Sequence, residues 1–261
     1  MFRETQRAYD HIIFTDLDGT LIFSASKKRS GDIVCEYKDG AEISCISPRQ
    51  AELLPKLHGI IPVTTRSIEQ YHRIRFPEGF SPEYALTDNG GTLLINGEPD
   101  RAWTENSLRI AGECSEELEG CRRAMENDIN RSFEIRLVDG MFLFTKSDDP
   151  ERSLELLRAA AGERVKCYAA GAKLYAVPAE ICKGAAAKRL SERLDPNKQI
   201  VCAGDSLMDI PLLNIADTAV FPEDIGGRIS AGKLITGKRE RFPEFVTERF
   251  AELLGVKSEE L

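Results

Sequence analysis

The chain predicts an α/β fold, a Rossmann-like parallel sheet with helices on both faces, interrupted by an inserted α+β unit. Three observations carry that expectation. Short apolar runs bounded by polar or glycine residues recur at residues 11–15, 60–63, 84–86, 200–203 and 218–220, as strands buried on both faces of a parallel sheet require. Helical patterns alternate with these runs in the first and last thirds of the chain. The middle third instead reads helix, strand, strand, repeated twice.

The helix starts are legible. Ser47-Pro48-Arg49-Gln50 supplies a capping serine, a proline at the first helical position and a glutamine three residues after the cap. Ser67 with Gln70 repeats the signal, and further helices read at 183–194, 207–214 and 242–254. In the insert, an acidic helical stretch over about 105–127 precedes two alternating strands around Asp139-Gly140. A helix over about 150–161 and two strands around Ala170-Gly171 follow. The core is therefore expected at 1–91 and 178–261 and the insert at 92–177.

Two-residue turns fix which residues share a sheet face. A turn at Asp139-Gly140 groups Phe133, Ile135, Leu137, Phe142 and Phe144 on a buried face, leaving Glu134, Arg136, Val138, Met141, Leu143 and Thr145 opposite. A turn at Ala170-Gly171 groups Val165, Cys167, Leu174 and Ala176, leaving Lys166, Tyr168, Lys173 and Tyr175 opposite. The insert should thus have one helix-covered face and one open, partly polar face. A further hairpin over 33–46, turning at Asp39-Gly40, sets Cys35 and Cys45 on opposite faces and unbonded.

Composition excludes several classes. The 261 residues carry 35 basic and 43 acidic side chains, a formal net charge of −8, with 42% hydrophobic residues. A chain of this size buries a core without disulfides or structural metal. The acidic balance and the lack of a basic stripe argue against a nucleic-acid partner. No apolar run approaches the roughly 20 residues that span a bilayer, and MFRETQRAYD lacks a positively flanked apolar stretch, so no membrane partner and a cytoplasmic location are expected. Seven cysteines with no CxxC pair suggest buried thiols rather than zinc or a disulfide framework.

The stretch that carries chemistry is FTDLDGTL at 14–21, where Asp16 and Asp18 stand just past a buried strand. Ligand sites of open α/β sheets lie beyond the carboxyl ends of their strands. Two such acids oppose each other's ionisation and favour a shared cation or proton, and Gly19 lets the backbone turn closely. Asp-x-Asp-Gly also opens some calcium loops, but the spacing and flanking elements of an EF-hand are absent.

Four motifs in order make the chain resemble the haloacid dehalogenase superfamily of phosphohydrolases, in the branch with an α/β cap that includes Cof-type and sucrose-phosphatase-like enzymes. They are FTDLDGTL, VTTRS at 63–67, CKGAAAKRL at 182–190 and GDSLMD at 204–209; TDNGG at 87–91 resembles the turn before the cap. The resemblance implies a phosphatase with Asp16 as nucleophile, forming an aspartyl-phosphate, and Asp18 as acid/base. It implies Mg²⁺ held by Asp16, the Asp18 backbone carbonyl and Asp205, with Asp209 orienting through water. Thr64 and Lys183 are the implied phosphate-binding members of the catalytic set. Taken alone, Thr64 reads rather as a strand-end turn residue and Lys183 as a solvated lysine, and the motif order reverses the first reading.

The implied partner is a small-molecule phosphate ester, a sugar phosphate by resemblance. The substrate-binding candidates are Arg66, which can reach a phosphate or lie on the surface, Asn89, Arg136 and Lys173. The other readings are a phosphosugar mutase of the phosphomannomutase type and a regulatory phospho-ligand-binding protein. Three positions depart from the family pattern: Met208 stands where many relatives have Asn, Thr65 where Gly is common, and FPEDIGG after Val220 replaces an Asn-Ala pattern. His11, His58 and His72 fall outside the motifs, Trp103 reads as packing, and the acids over 113–119 read as a solvated helix face.

Overall fold

The chain runs β1 (His11–Thr15), β2 (Phe23–Ser24), β3 (Ile33–Lys38), β4 (Ala41–Ile46), α1 (Pro48–Leu53), β5 (Ile60–Pro62), α2 (Ile68–His72), β6 (Tyr84–Thr87), β7 (Thr92–Ile95) and β8 (Glu98–Pro99) in a computed structural model that describes residues 10–256. Both serine-glutamine capping boxes form, at Ser47 with Gln50 and at Ser67 with Gln70. The insert follows as α3 (Arg101–Glu113), α4 (Ser115–Asn127), β9 (Arg136–Val138), β10 (Phe142–Lys146), α5 (Pro150–Ala160), β11 (Val165–Ala170) and β12 (Lys173–Pro178). The chain returns through α6 (Lys183–Leu194), β13 (Gln199–Ala203), α7 (Ile210–Leu213), β14 (Thr218–Pro222), β15 (Lys233–Gly237) and α8 (Phe242–Leu253).

The core sheet is parallel, in the order β15-β14-β13-β1-β5. Alternation along β1 feeds two cores, since Ile13 packs with Leu53, Val246 and Phe250 on one face while Ile12 and Phe14 pack with Ala187, Leu190 and Leu212 on the other. The run at 84–86 is strand but does not belong to this sheet as expected. β6 lies beside β5, joined to it by the parallel Val63–Leu86 bridge, and pairs antiparallel with β7, which pairs with β8. β15, an exposed edge strand reading KLITG, has too few apolar residues for the buried-strand pattern that revealed its neighbours. Among the described residues no helix is long and apolar enough to cross a membrane.

The insert is a four-stranded antiparallel sheet, β11-β12-β10-β9, covered on one face by α4 and α5, while Ile110 and Ala111 of α3 pack with Phe142 and Tyr175 on the other. The expected single helix over 105–127 is two, broken at Cys114, whose ψ of 9° leaves the helical range. The expected helix over 207–214 is likewise a 3₁₀ turn (Leu207–Asp209) continued by α7, with Pro211 in its first turn.

One register differs from expectation. Val138 pairs with Phe142, so the β9–β10 loop holds three residues, Asp139, Gly140 and Met141, the first two at positive φ. One extra loop residue turns β10 over. Leu143, expected outside, packs beneath the helices with Leu174 and Ala176, while Phe142 and Phe144, expected there, face the core side with Arg136 and Tyr175. The β11–β12 turn is Gly171-Ala172, one residue from the expected place. That slip displaces the pairing by two, and an even shift preserves faces, so Cys167 and Ala176 share the buried side as expected.

Candidate active site

Asp16 follows β1, and its backbone N–H bonds Ala203 O at 2.9 Å, which holds it beside the end of β13. The chain then curls so that Thr20, Leu21 and Ile22 all donate to Leu17 O. Gly19 permits the curl at φ +87°, and a Cβ there would stand 2.4 Å from Asp205 Oδ2. Asp205 and Asp209 come from the turn after β13. Lys183 opens α6, whose Gly184 allows the helix to approach Pro211 so closely that a Cβ would meet its carbonyl at 2.1 Å.

These elements converge on one buried cluster. Lys183 Nζ donates to Asp16 Oδ1 at 2.5 Å and to Asp209 Oδ1 at 2.6 Å. Asp209 Oδ2 accepts the Asp205 and Ser206 N–H groups and the Ser206 hydroxyl. The Thr20 hydroxyl lies 3.4 Å from Asp16 Oδ2 and 3.5 Å from Asp205 Oδ1. An oxygen from each of Asp16, Asp205 and Asp209 lies within 4.8 Å of the others.

The cluster's electrostatics favour a cation. Burial, then Asp209, pushes the Asp16 carboxyl well above the usual carboxylate range against the pull of Lys183. The same two causes push Asp205 up to about 6. Burial by itself would lower the Lys183 ammonium, but Asp16 and Asp209 raise it. Three carboxylates around one ammonium leave uncompensated negative charge in a dry site, and an all-oxygen donor set suits a hard divalent ion. At the rim Arg239 already touches this set, donating to Asp205 Oδ2 at 3.1 Å and to Asp205 O at 3.0 Å while pairing with Asp224. A cavity of about 440 Å³ borders Asp205 there, with no lining residue from the insert.

Asp18 lies apart from the cluster, its carboxylate held by Arg66 Nε and Nη2, each at 2.7 Å. Burial would raise its pKa, but these bonds and the Arg66 charge outweigh it and hold the carboxyl below its ordinary value. Arg66 is not on the surface. It is buried, and its Nη1 lies 2.9 Å from Glu36, a fully buried carboxylate that also takes the Ser44 hydroxyl and Arg73. Thr64, fully buried at the end of β5, accepts the Arg66 N–H and keeps its own hydroxyl hydrogen for another partner. Asn89, at φ 59°, donates to Ile181 O at 2.8 Å, tying the turn before the insert to the chain returning from it. Trp103 packs there as expected, its Nε1 donating to Gly90 O with Arg189 stacked 3.3 Å from its ring centre.

The insert's core-facing surface closes over this site as a cap. Phe142, Tyr175 and Val177 pack with Ile181 and Met208, so the methionine that departs from the family pattern serves as an apolar contact for the cap. The Tyr175 hydroxyl approaches that of Thr65, and the charge of Lys173 reaches Asp18. Arg136 is exposed on the same face and paired with Glu134. Sequence reasoning missed Glu36 and Arg239. Glu36 sits in an ordinary hairpin pattern, and Arg239 is one cation in the run Lys238-Arg239-Glu240-Arg241, with nothing local to single it out.

No protein-family model and no curated protein matches the chain. Its fold is similar to that of the sucrose-phosphatase from Synechocystis, solved with sucrose and phosphate, at 16% identity and TM-score 0.62, covering 94% of this chain and 98% of that one. It is also similar to a trehalose-6-phosphate phosphatase from Aspergillus fumigatus, at 14% identity and TM-score 0.54 over 97% and 96% of the two chains. A haloacid dehalogenase-like hydrolase from B. subtilis aligns at 17% identity and TM-score 0.55 over 91% and 99%. With its parallel core, its inserted antiparallel cap and these likenesses, the chain has the fold of the haloacid dehalogenase superfamily phosphatases.

Proposed function

We propose that the chain is a Mg²⁺-dependent phosphomonoesterase acting on a small phosphorylated metabolite, a sugar phosphate by its likeness to the two sugar-phosphate phosphatases. The observation that carries the reading is the placement of Lys183 between Asp16 and Asp209, with Asp205 alongside. A buried carboxylate with a free lone pair beside a buried ammonium is suited to attack phosphorus and to hold the phosphoryl oxygens that gain charge as it does so. Asp16, Asp205 and the Asp18 backbone carbonyl would hold Mg²⁺, with Asp209 orienting the shell. The ion supplies charge neutralisation for an anionic substrate.

Asp16 attacks the phosphorus and the bond to the leaving oxygen breaks. Asp18, 49% exposed and freed once the substrate anion takes over its Arg66 bonds, gives that oxygen its proton. Water then attacks the aspartyl-phosphate, Asp18 takes its proton, and the Asp16 carboxylate is restored with release of inorganic phosphate. Thr64 and Lys183 hold phosphoryl oxygens, and Arg66, released from Asp18, is within reach of the same anion. The test is hydrolysis of a phosphomonoester panel with Mg²⁺ and with chelator. Turnover should need the metal and fall below about 1% in Asp16→Asn, since an amide cannot attack. Metal-independent turnover, or an active Asp16→Asn protein, overturns the assignment.

A further inference from the structure

The cap's core-facing surface is arranged in rows across its strands. One row, Tyr168, Tyr175, Phe144 and Arg136, lies over the site opening. In the next row outward, Lys173 of β12 stands directly opposite Lys146 of β10. Like charges facing each other across a sheet oppose folding. Arg136 is neutralised by Glu134, but neither lysine forms an ion pair with any carboxylate among the described residues.

Lys173 is exposed and Lys146 half-buried, and both lie near groups of the site or of the aromatic floor. The charge of Lys173 reaches Asp18, the residue that would serve the leaving oxygen. Lys146 Nζ sits 5.0 Å from the centre of the Phe133 ring, and the Arg136 guanidinium sits 4.8 Å from the same ring. Phe133 contacts Phe144 edge-on at 5.9 Å, and Phe144 contacts Tyr175 at 5.3 Å. An aromatic floor thus runs out from the crevice and ends at two unneutralised ammonium groups. A neutral polyol would use the floor and leave the lysines opposed.

Building on the phosphomonoesterase reading, we propose that the substrate's leaving group carries a second anionic group, which Lys173 and Lys146 bind while its carbon skeleton lies on Phe144 and Tyr175. A carboxylate and a second phosphate share the needed chemistry: negative oxygens that accept charge-assisted hydrogen bonds from ammonium groups.

Matched pairs of substrates test this. Glucitol 6-phosphate against 6-phosphogluconate, both open-chain, isolates an added carboxylate, and fructose 6-phosphate against fructose 1,6-bisphosphate isolates an added phosphate. For at least one pair, kcat/KM for the anionic member should exceed that for the neutral one by about tenfold or more. The ratio should shrink with added KCl and fall towards one in Lys146→Gln combined with Lys173→Gln. Each single variant should melt no lower than the parent, because it removes an opposed charge. A ratio of one or less for both pairs, or a preference unchanged in the folded double variant, overturns the inference. Failure to cleave any ester, p-nitrophenyl phosphate included, overturns the phosphatase reading instead. Calorimetry with the Asp16→Asn protein then decides the charge preference separately: equal affinity for both members of each pair rejects it, and tighter binding of an anionic member supports it.

Discussion

Arg66 grips both oxygens of Asp18 at 2.7 Å and, through its third nitrogen, lies 2.9 Å from the buried Glu36. One guanidinium thus serves two carboxylates, and the bidentate bond keeps Asp18 ionised in the substrate-free geometry. A residue that must protonate a leaving oxygen cannot work from that state. In the proposed reaction, substrate phosphate would have to draw Arg66 away before Asp18 could take up a proton.

The first prediction follows from that linkage. Arg66→Met removes the hydrogen bonds that hold Asp18 low, so the Asp18 pKa rises and the acid form persists to higher pH. The alkaline limb of kcat/KM on an alkyl phosphate should then move to higher pH, while kcat/KM itself falls through lost phosphate binding. On p-nitrophenyl phosphate, whose leaving group needs little protonation, the limb should not move. Superimposable profiles on the alkyl substrate would separate Asp18 from the proton transfer.

A second prediction concerns Lys183, which is buried between two carboxylates. Lys183→Met leaves Asp16 and Asp209 without their shared cation, and an uncompensated buried charge costs about 3–5 kcal/mol. The variant should melt well below the parent in chelator and recover part of the loss in Mg²⁺, which restores positive charge to the same oxygens. Chemical denaturation with and without Mg²⁺ checks both. A variant as stable as the parent in chelator would show that the ammonium does not neutralise the pair.

Arg239 is the third test. It lies on Asp205 from the side away from the cap and is partly exposed, so it would compete with a divalent ion for the same carboxylate. Arg239→Ala should therefore bind Mg²⁺ several-fold more tightly, seen as a larger rise in melting temperature at a given Mg²⁺ concentration. Asp205→Asn should largely lose that rise. A weaker Mg²⁺ response in Arg239→Ala would mean that the arginine orients Asp205 for the ion rather than competing with it.

Much of this site was legible because its chemistry is local. Asp16 and Asp18 sit in one octapeptide, Lys183 at a helix start and Asp205 with Asp209 in one turn, and strand periodicity places the aspartates beyond the carboxyl ends of neighbouring strands. Loop length was the weak point. Nothing in Val138-Asp139-Gly140-Met141 says whether two or three residues make the turn, yet that count decides whether Phe144 or Leu143 faces the site. Glu36 was hidden for a related reason, since its burial depends on a bulge between Val34 and Glu36 that breaks the hairpin's alternation. Arg239 joins the site only through tertiary placement of a strand whose own pattern is faint.

The last prediction turns on two acids that meet where cap and core join. Asp88 lies in the turn entering the cap, fully buried at φ 54°, and its carboxyl meets that of Asp139 in the β9–β10 loop. Burial, then the Asp139 carboxylate, pushes Asp88 up to about 8, so at neutral pH it holds a proton that the unfolded chain has lost. A folded pKa raised above the unfolded one means that stability is greatest at acid pH and declines as pH rises from about 4 towards 8. Asp88→Asn cannot ionise, yet its amide can donate to Asp139, and asparagine tolerates positive φ at least as well as aspartate. The variant should match or slightly exceed the parent near pH 4, lead it already at pH 6, and widen that lead by about 1–3 kcal/mol between pH 6 and pH 9, where the parent must carry an unpaired buried charge. The backbone gain is independent of pH, so the widening of the gap, not its size at one pH, reports the shared proton. Urea denaturation of both proteins at pH 4, 6, 7.5 and 9 gives the comparison, and parallel stability curves would show that Asp88 is ionised throughout.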